Sequence, residues 1–540
     1  MRRPGAGARP ETTHVTHAAS TPTTPNSAPT AAPLGRSAFR GSIWMVFNAL
    51  ATRVLSLAAT VLLGRWLLTS DFGVYGLAMS MSAMAGVLRD GGVRQLLVRE
   101  HHRHDELVGS AFYMALAFNT LTGAALALLA NFSHFWTDDP AKAADVARVL
   151  LVIAICQPLN TPGAMLQAKL LGGMRFGPVS LLAGLSSCVR FGGAILLAGF
   201  WPDSLGALAF VLPLPVCAIL EWIGFWYYNR EPMWSRSPEP RRWKGLLAQS
   251  VWILVGSFAI AMLNWGANPA LAATSKDLDL VAVYFFAYNI VIQVGIILSA
   301  NIGQVLVPAF SRLIAEPERL RAATLRALRQ LMLVAAPLSL GLAVTFPPLE
   351  RVLWGGRWER AADAVRVMGL LYPFVVTLVV PLSLLQARGS FRAWAMVITL
   401  SGGLSMAGAC LGGVFFAGSP AAATNIAWLT GLLGGVSALA ATLAIGIGRG
   451  ISLGESISAT LPAWVLAVAA ALPVIGLDDL VISHWHPVPR FFITGTAFTL
   501  LFALLVRVCV APHLREWLAS APARVRPLAA KLLLLPGVSR

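Results

Sequence analysis

The chain consists largely of apolar segments that are each long enough to cross a lipid bilayer, and this pattern limits the folds open to it. A spanning helix needs about 20 apolar residues, because the hydrocarbon core is about 30 Å thick and a helix rises about 1.5 Å per residue. Of the 540 residues, 57% are hydrophobic and only 12% are charged, whereas a soluble domain carries roughly twice that share of charge. The sequence therefore predicts an all-α polytopic membrane protein.

About fourteen segments have the length and composition expected of transmembrane helices. The second segment is short, and it and the last two are the weakest predictions. In chain order the segments are 41–64, 73–88, 107–130, 147–168, 178–200, 205–228, 246–272, 280–302, 328–347, 367–387, 391–416, 422–447, 456–476 and 491–511.

The distribution of basic residues predicts which loops face the cytoplasm. The formal net charge is +17, but the Lys and Arg residues lie between apolar segments, so we interpret them as topology signals and expect no nucleic-acid partner. Cytoplasmic loops are enriched in Lys and Arg. Loops 89–103, 230–244 and 312–329 are basic, whereas 131–145 and 201–206 are almost free of basic residues. We therefore expect both termini in the cytoplasm, although the four arginines of 351–366 break the pattern on the outside.

Two sections of the chain resemble each other. Ser-Ile-Trp at 42–44 opens the first span and Ser-Val-Trp at 250–252 opens the seventh, whereas Leu-Gln-Ala occurs at 166–168 and again at 385–387. Units six helices apart enter the membrane from the same side, so the repeat is parallel, as in some transporters. Two six-helix lobes with a cleft between them would suit alternating access.

The five cysteines lie within or beside apolar segments and form no C-x-x-C pair, so we interpret them as small apolar residues.

The repeat predicts how the chain is divided. The predicted parts are a disordered cytoplasmic tail (1–35), an N-terminal six-helix lobe (36–245), a C-terminal six-helix lobe (246–447), two extra transmembrane helices (448–511) and a cytoplasmic amphipathic tail (512–540).

Polar side chains recur along one face of the first helix of each predicted lobe. The first span carries Asn48, Thr52 and Ser56, spaced by four, and the seventh carries Asn264 and Asn268. These side chains are candidates for lining a substrate cavity. The alternative is helix–helix packing, because Ser, Thr and Asn also form hydrogen bonds between helices.

Two arginines lie inside predicted spans. Burying an arginine costs at least about 2.5 kcal/mol on insertion scales, so Arg53 and Arg190 are candidates for binding an anionic group such as phosphate. Alternatively they extend to the membrane surface, or pair with a carboxylate such as Glu221. Gln157 and Gln293 extend the candidate cavity or form interhelical bonds.

Cofactor chemistry is not predicted. A histidine group at 101–104 lies in a basic loop without a recognisable scaffold, so we expect no metal site. Nucleotide-binding loops of the G-x-x-x-x-G-K-[ST] type and hydrolase motifs are absent from the sequence. We therefore expect a protein that is not an enzyme and binds no cofactor.

Several motifs resemble those of a known family. The run L-L-G-R-W-L-L-T-S-D-F-G-V-Y at 62–75, G-G-V-R-Q-L-L-V-R at 91–99, and V-P-A-F-S-R-L at 307–313 carry the resemblance, together with 337–341 and 353–358. They resemble the polysaccharide (O-antigen and exopolysaccharide) flippases of the multidrug/oligosaccharidyl-lipid/polysaccharide exporter superfamily. The resemblance covers roughly residues 40–390.

This resemblance implies a function and a location. It implies a flippase of the bacterial inner membrane that moves an undecaprenyl-diphosphate-linked oligosaccharide through a cationic cavity, consistent with Arg53 and Arg190. The implied partners are this substrate and membrane lipids, with a polysaccharide polymerase and export machinery as further candidates. Relatives often carry an Asp in the seventh helix, whereas this chain has only amides at Asn264 and Asn268.

Three alternatives stay open. The chain could be a multidrug or lipid II exporter of the same superfamily, although the F-G-x-Y hairpin favours the sugar branch. It could be a membrane polymerase or ligase of glycans, although the predicted outside loops are short for catalysis. It could also be a scaffold without transport, against which the repeat argues only weakly.

Overall fold

All regular structure in the described part of the chain is helical. The computed structural model describes residues 48, 51–87, 104–173, 175–230, 243–446 and 451–520. The predicted tail 1–35, the end of the predicted tail 512–540, and most of the basic loops 89–103 and 230–244 lie outside these residues.

Sixteen helices are distinguished here, apart from short turns at Ser133–Phe135, Pro202–Leu205 and Gly206–Phe210. Their bounds are α1 51–66, α2 Thr69–Ala85, α3 His104–Asn131, α4 Pro140–Gly172, α5 Phe176–Phe200, α6 Pro213–Asn229, α7 Trp243–Trp265, α8 Ala267–Ser275, α9 Leu278–Leu313, α10 Pro317–Trp354, α11 Glu359–Thr377, α12 Val379–Ala387, α13 Phe391–Phe416, α14 Ala422–Gly446, α15 Leu453–Leu480 and α16 Pro487–Ser520.

The predicted class is confirmed, because ten stretches within the described residues are long and apolar enough to cross a membrane. An eleventh is formed if Pro202–Phe210 and Pro213–Asn229, which meet at an angle of 44°, count as one bent span. The first predicted span overlaps α1, and the second overlaps α2, which has 17 residues. The seventh overlaps both α7 and α8, which are separated at Gly266. The count of fourteen and the division into two six-helix lobes stay predictions.

The helices pack into two groups. In the first bundle (51–230), α4 contacts α3 and α6, and α6 contacts α5. In the second bundle (243–446), α13 contacts α7, α8 and α14, while α11 contacts α9, α10 and α14. The α15–α16 hairpin packs against α10, so it is attached to the second bundle.

A buried ion pair fixes this hairpin at the turn between its two helices. Arg490 donates to both carboxylate oxygens of Asp478, with 2.7 Å between Nη2 and Oδ2, and the two side chains are 5% and 1% exposed. The next carboxylate, Asp479, accepts from Arg366 of α11 at 2.9 Å. The hairpin is therefore attached to the second bundle by charge as well as by apolar packing.

Replacing Asp478 with alanine should destabilise the protein strongly, because Arg490 would stay buried without its partner. Removing one member of a buried pair costs about 3–5 kcal/mol. The midpoint of thermal unfolding in detergent should fall clearly. The control is Glu316→Ala, whose carboxylate pairs with Arg319 on an exposed surface, where such pairs contribute about 0–1 kcal/mol. Equal midpoints for the two variants would contradict a structural role for the buried pair.

Candidate functional site

The two bundles meet along one face of α2, a contact that we call the seam. Helices α2 and α9 run in parallel, and a Cβ atom at Gly73 would lie 2.0 Å from the backbone oxygen of Leu278. One turn further along α2, a Cβ at Gly76 would lie 2.6 Å from the ring of Phe285. Only glycine allows backbones to approach this closely. The seam is therefore built on two glycines, three residues apart on one helix face.

An aromatic cluster fills the end of the seam where α2 and α9 begin. The ring of Phe286 stacks on Trp358 with 4.0 Å between centroids, and Phe72 meets Trp358 edge-on at 5.0 Å. Tyr75 stacks on Phe210 at 4.2 Å. Aromatic pairs of this kind contribute about 0.5–1.5 kcal/mol each beyond the apolar area that they bury. The cluster closes this end of the contact between the bundles.

The C-terminal ends of α1 and α10 are joined by hydrogen bonds to backbone carbonyl groups beside this cluster. The indole of Trp358 donates to Gly64 O at 3.3 Å, and that of Trp354 donates to Thr60 O at 3.4 Å. In return, Arg65 donates to the carbonyl oxygens of Val352, at 2.8 Å, and of residue 353. The carbonyls of Gly64, Val352 and residue 353 are among the last of their helices and have no partner within the helix, so these bonds stabilise the C-terminal ends of α1 and α10 across the bundles.

Two ion pairs also cross between the bundles at this end. Lys142 Nζ lies 3.1 Å from Asp279 Oδ2, and Lys276 Nζ lies 3.3 Å from Asp138 Oδ1. All four side chains are partly exposed to solvent, so each pair contributes little energy. The main effect of the two ion pairs is to align the start of α4 with the start of α9.

The sequence motif D-F-G-x-Y at 71–75 therefore has a structural explanation. Asp71 accepts from the backbone N–H of Leu68 at 3.0 Å and so fixes the turn that opens α2. Phe72 and Tyr75 belong to the aromatic cluster, and Gly73 allows the close approach of α9. The motif builds the seam between the bundles, a role that the sequence alone did not suggest.

The polar residues predicted on the first span lie against α5. Thr52 Oγ1 donates to Ser187 Oγ at 3.2 Å, and a Cβ at Gly184 would lie 2.7 Å from Asn48 Oδ1. Ser56 is half-buried, and its carbonyl accepts from the Thr60 hydroxyl. The structure thus brings this stripe to the helix that carries Arg190.

The two candidate arginines lie on these neighbouring helices. Arg53 follows Thr52 by one residue, and Arg190 follows Ser187 by three. The Nη2 atom of Arg53 is buried and has no hydrogen-bond partner among the described residues. Arg190 is partly exposed, and it forms no ion pair with Glu221, the carboxylate considered from the sequence. Both guanidinium groups therefore keep donors available for an anion.

Three of the remaining candidates, all amides, lie on three other helices. Asn268 is 1% exposed and donates to Ser80 Oγ of α2 at 2.9 Å, so it lies in the seam. Gln157 is buried inside the first bundle, with its Nε2 3.5 Å from Ser82 Oγ. Gln293 on α9 has a buried Oε1 without a described partner. These amides lie on α8, α4 and α9, whereas the two arginines lie on α1 and α5.

Asn264 lies in a cavity inside the second bundle. Its neighbours there include Tyr284, Tyr288 and Tyr372, three of the seven tyrosines of the chain, and Thr430. These tyrosines are not among the residues predicted from the sequence, although polar hydroxyl groups inside predicted spans could have marked them as candidates. The cavity lining contains no carboxylate, which agrees with the amides noted in the seventh span.

Comparisons with known proteins agree with this architecture. A family model described as "Polysaccharide biosynthesis protein" matches residues 62–363. The lipopolysaccharide biosynthesis protein WzxC of Escherichia coli K12 is 21% identical to this chain, and the match covers 61% of this chain and 66% of the length of WzxC. This chain therefore spans just under two thirds of that relative. A putative O-antigen transporter of Shigella flexneri is 22% identical over 67% of this chain and 87% of its own. The solved structure of the lipid II flippase MurJ, in an inward closed conformation, superposes with a TM-score of 0.64 at 12% identity, covering 87% of this chain and all of that chain.

Proposed function

Because the chain belongs to the polysaccharide biosynthesis protein family, we propose that it moves an undecaprenyl-diphosphate-linked oligosaccharide across the bacterial inner membrane by alternating access. The family match spans more than half of the chain and includes the seam. The relatives named for lipopolysaccharide biosynthesis and O-antigen transport favour a sugar-linked substrate over a drug or lipid II. A polysaccharide polymerase and export machinery are proposed as partners on the same basis.

The observation that carries the proposal is the pair of arginines on adjacent helices. A diphosphate presents several anionic oxygens, and guanidinium groups bind such oxygens in bidentate geometry. Arg53 and Arg190 flank the Thr52–Ser187 contact and have donors that no described carboxylate occupies. In this proposal the diphosphate binds at the arginines while the lipid tail stays in the bilayer.

The seam gives the proposal a conformational basis. From the loop charges we expect the turn between α1 and α2 on the outside, so the seam would close the outer end of the protein. The structure would then represent a conformation closed to the outside. Export requires the outer end to open, which means separating α2 from α9 and dispersing the aromatic cluster around Trp358.

Deleting the gene tests the proposal directly. The undecaprenyl-linked oligosaccharide should accumulate on the cytoplasmic face, and the exported polysaccharide should be lost, because glycan assembly continues while translocation stops. Complementation with the intact chain should reverse both effects. Normal export in the deletion strain, or accumulation of lipid II in place of a lipid-linked oligosaccharide, would refute the assignment.

A further inference from the structure

Four buried oxygen atoms on α3 and α4 of the first bundle have no hydrogen-bond partner among the described residues. They are Asn119 Oδ1 and Thr122 Oγ1 of α3, and Gln157 Oε1 and Thr161 Oγ1 of α4. The residues are between 1% and 5% exposed. A buried polar atom without a partner is costly, so native proteins rarely leave one unsatisfied. Four such oxygen atoms within one stretch of α3 and α4 indicate that a further group occupies the space between these two helices.

The two threonines are exceptions among the buried helical threonines that the structure describes. A threonine in a helix ordinarily donates its hydroxyl to the carbonyl three or four residues earlier. Thr122 and Thr161 form no such bond. All the other buried helical threonines of the described residues form it, namely Thr324, Thr377, Thr430, Thr442, Thr460 and Thr494. The hydroxyl oxygens of Thr122 and Thr161 are therefore free to bind something else.

The packing of α3 on α4 places these oxygens near one another. A Cβ at Gly123 would lie 2.6 Å from Ala154 O and 3.6 Å from Pro158 Cδ, which fixes the antiparallel register of the two helices. Asn119 lies one turn before Gly123 on that face of α3, and Thr161 lies two turns after Ala154 on the facing side of α4. The four side chains thus occupy about two turns of a single interface.

Prolines add backbone oxygens to this interface. Pro158 lacks the N–H that would bond Ala154 O, and Pro162 likewise leaves the carbonyl of Pro158 without its helical donor. Carbonyls released in interrupted membrane helices coordinate monovalent cations in transporters. The site would thus combine amide, hydroxyl and carbonyl oxygens and include no carboxylate among these residues.

We propose that the first bundle binds one sodium ion between α3 and α4, through Asn119, Thr122, Gln157, Thr161 and the carbonyl of Ala154. Oxygen ligands suit hard cations, and an uncharged set suits a monovalent ion, because calcium and magnesium sites are usually built with carboxylates. The ion would satisfy the acceptor oxygens together, which one protein donor could not do.

The site is connected to the seam by two hydrogen bonds. Gln157 Nε2 lies 3.5 Å from Ser82 Oγ, so the site contacts α2 directly. Two residues earlier on α2, Ser80 accepts from Asn268 of the second bundle at 2.9 Å. Sodium binding would therefore fix α2, the helix that forms the seam. Its use in driving export rests on the proposed function, whereas the binding itself does not.

Sodium binding to the purified protein tests the inference without any sugar substrate. The intact chain in detergent should bind 22Na⁺ saturably, and its unfolding midpoint should rise with NaCl but not with choline chloride at equal ionic strength. Thr122→Val together with Thr161→Val should weaken the apparent sodium affinity by about tenfold or more, because two ligands are lost without a change of shape.

The matched control is Thr324→Val, which removes a buried hydroxyl that bonds its own helix at Leu320 O. That variant should keep the sodium affinity of the intact chain even if its midpoint in choline falls. Equal responses of the intact chain to NaCl and choline chloride would overturn the proposal, and so would an unchanged affinity in the double valine variant. Because no lipid-linked sugar is present, either result leaves the transport assignment to its own test.

Discussion

Replacing Arg53 and Arg190 together with alanine is expected to abolish polysaccharide export while the protein still inserts into the membrane. Each guanidinium would form charge-assisted hydrogen bonds with the diphosphate, worth about 1.5–3 kcal/mol apiece. Loss of both should lower export by about 100-fold or more. Export is measured as surface polysaccharide, and insertion as the amount of protein in the inner membrane.

The matched control removes two arginines that play no part in the proposed site. Arg148 and Arg319 are exposed, and among the described residues each forms an ion pair only with a carboxylate three residues earlier, Asp145 and Glu316. Arg148→Ala with Arg319→Ala should leave export unchanged. Arg53→Lys should retain part of the activity, since Lys keeps the charge but loses the bidentate geometry. Normal export from the Arg53 and Arg190 double variant would show that the diphosphate binds elsewhere.

Replacing Gly73 with alanine should open the seam. The new methyl group would meet the backbone oxygen of Leu278, which cannot rotate away as a flexible side chain could. Overpacking of this kind costs about 1–3 kcal/mol, which changes the equilibrium between closed and open seams by about fivefold to 150-fold. A transporter held away from its closed-seam state should export much less substrate.

A cysteine in the seam measures this change. Ser80 is fully buried and bonds Asn268 across the seam, so a Ser80→Cys reporter, in a chain whose five native cysteines are replaced, should react slowly with a membrane-impermeant maleimide. Adding Gly73→Ala should accelerate labelling from outside the cell. The control is Gly192→Ala on α5, where a Cβ meets nothing within 4 Å. Equal labelling rates in the two backgrounds would contradict the proposed role of the seam.

Much of the membrane architecture could be predicted from the sequence. The helical class, the family and most span positions follow from apolar run length and recognisable motifs. The predicted span 391–416 has the same bounds as α13, and 422–447 differs from α14 by one residue. Apolar runs and short motifs consist of residues that are close together in the chain, so they can be identified without knowledge of tertiary contacts.

The candidate functional residues were predicted less completely. Arg53 and Arg190 stood out because charge is unusual in an apolar span, and the structure places them on adjacent helices. Thr122 and Asn119 did not stand out, since hydroxyl and amide groups are common between membrane helices. The interest of these two residues is that one oxygen of each side chain has no hydrogen-bond partner among the described residues. Only the arrangement of neighbouring atoms in the structure shows that the partner is missing.

Sequence information alone is enough to identify a helical membrane protein of the polysaccharide biosynthesis family, because bilayer thickness sets span length and the family motifs lie in short runs. The tertiary structure decided where the two bundles touch. Gly73 and Leu278 belong to segments far apart in the chain, and their contact depends on which helix faces meet. The same holds for the oxygens between α3 and α4, whose lack of partners follows from packing that local sequence does not specify.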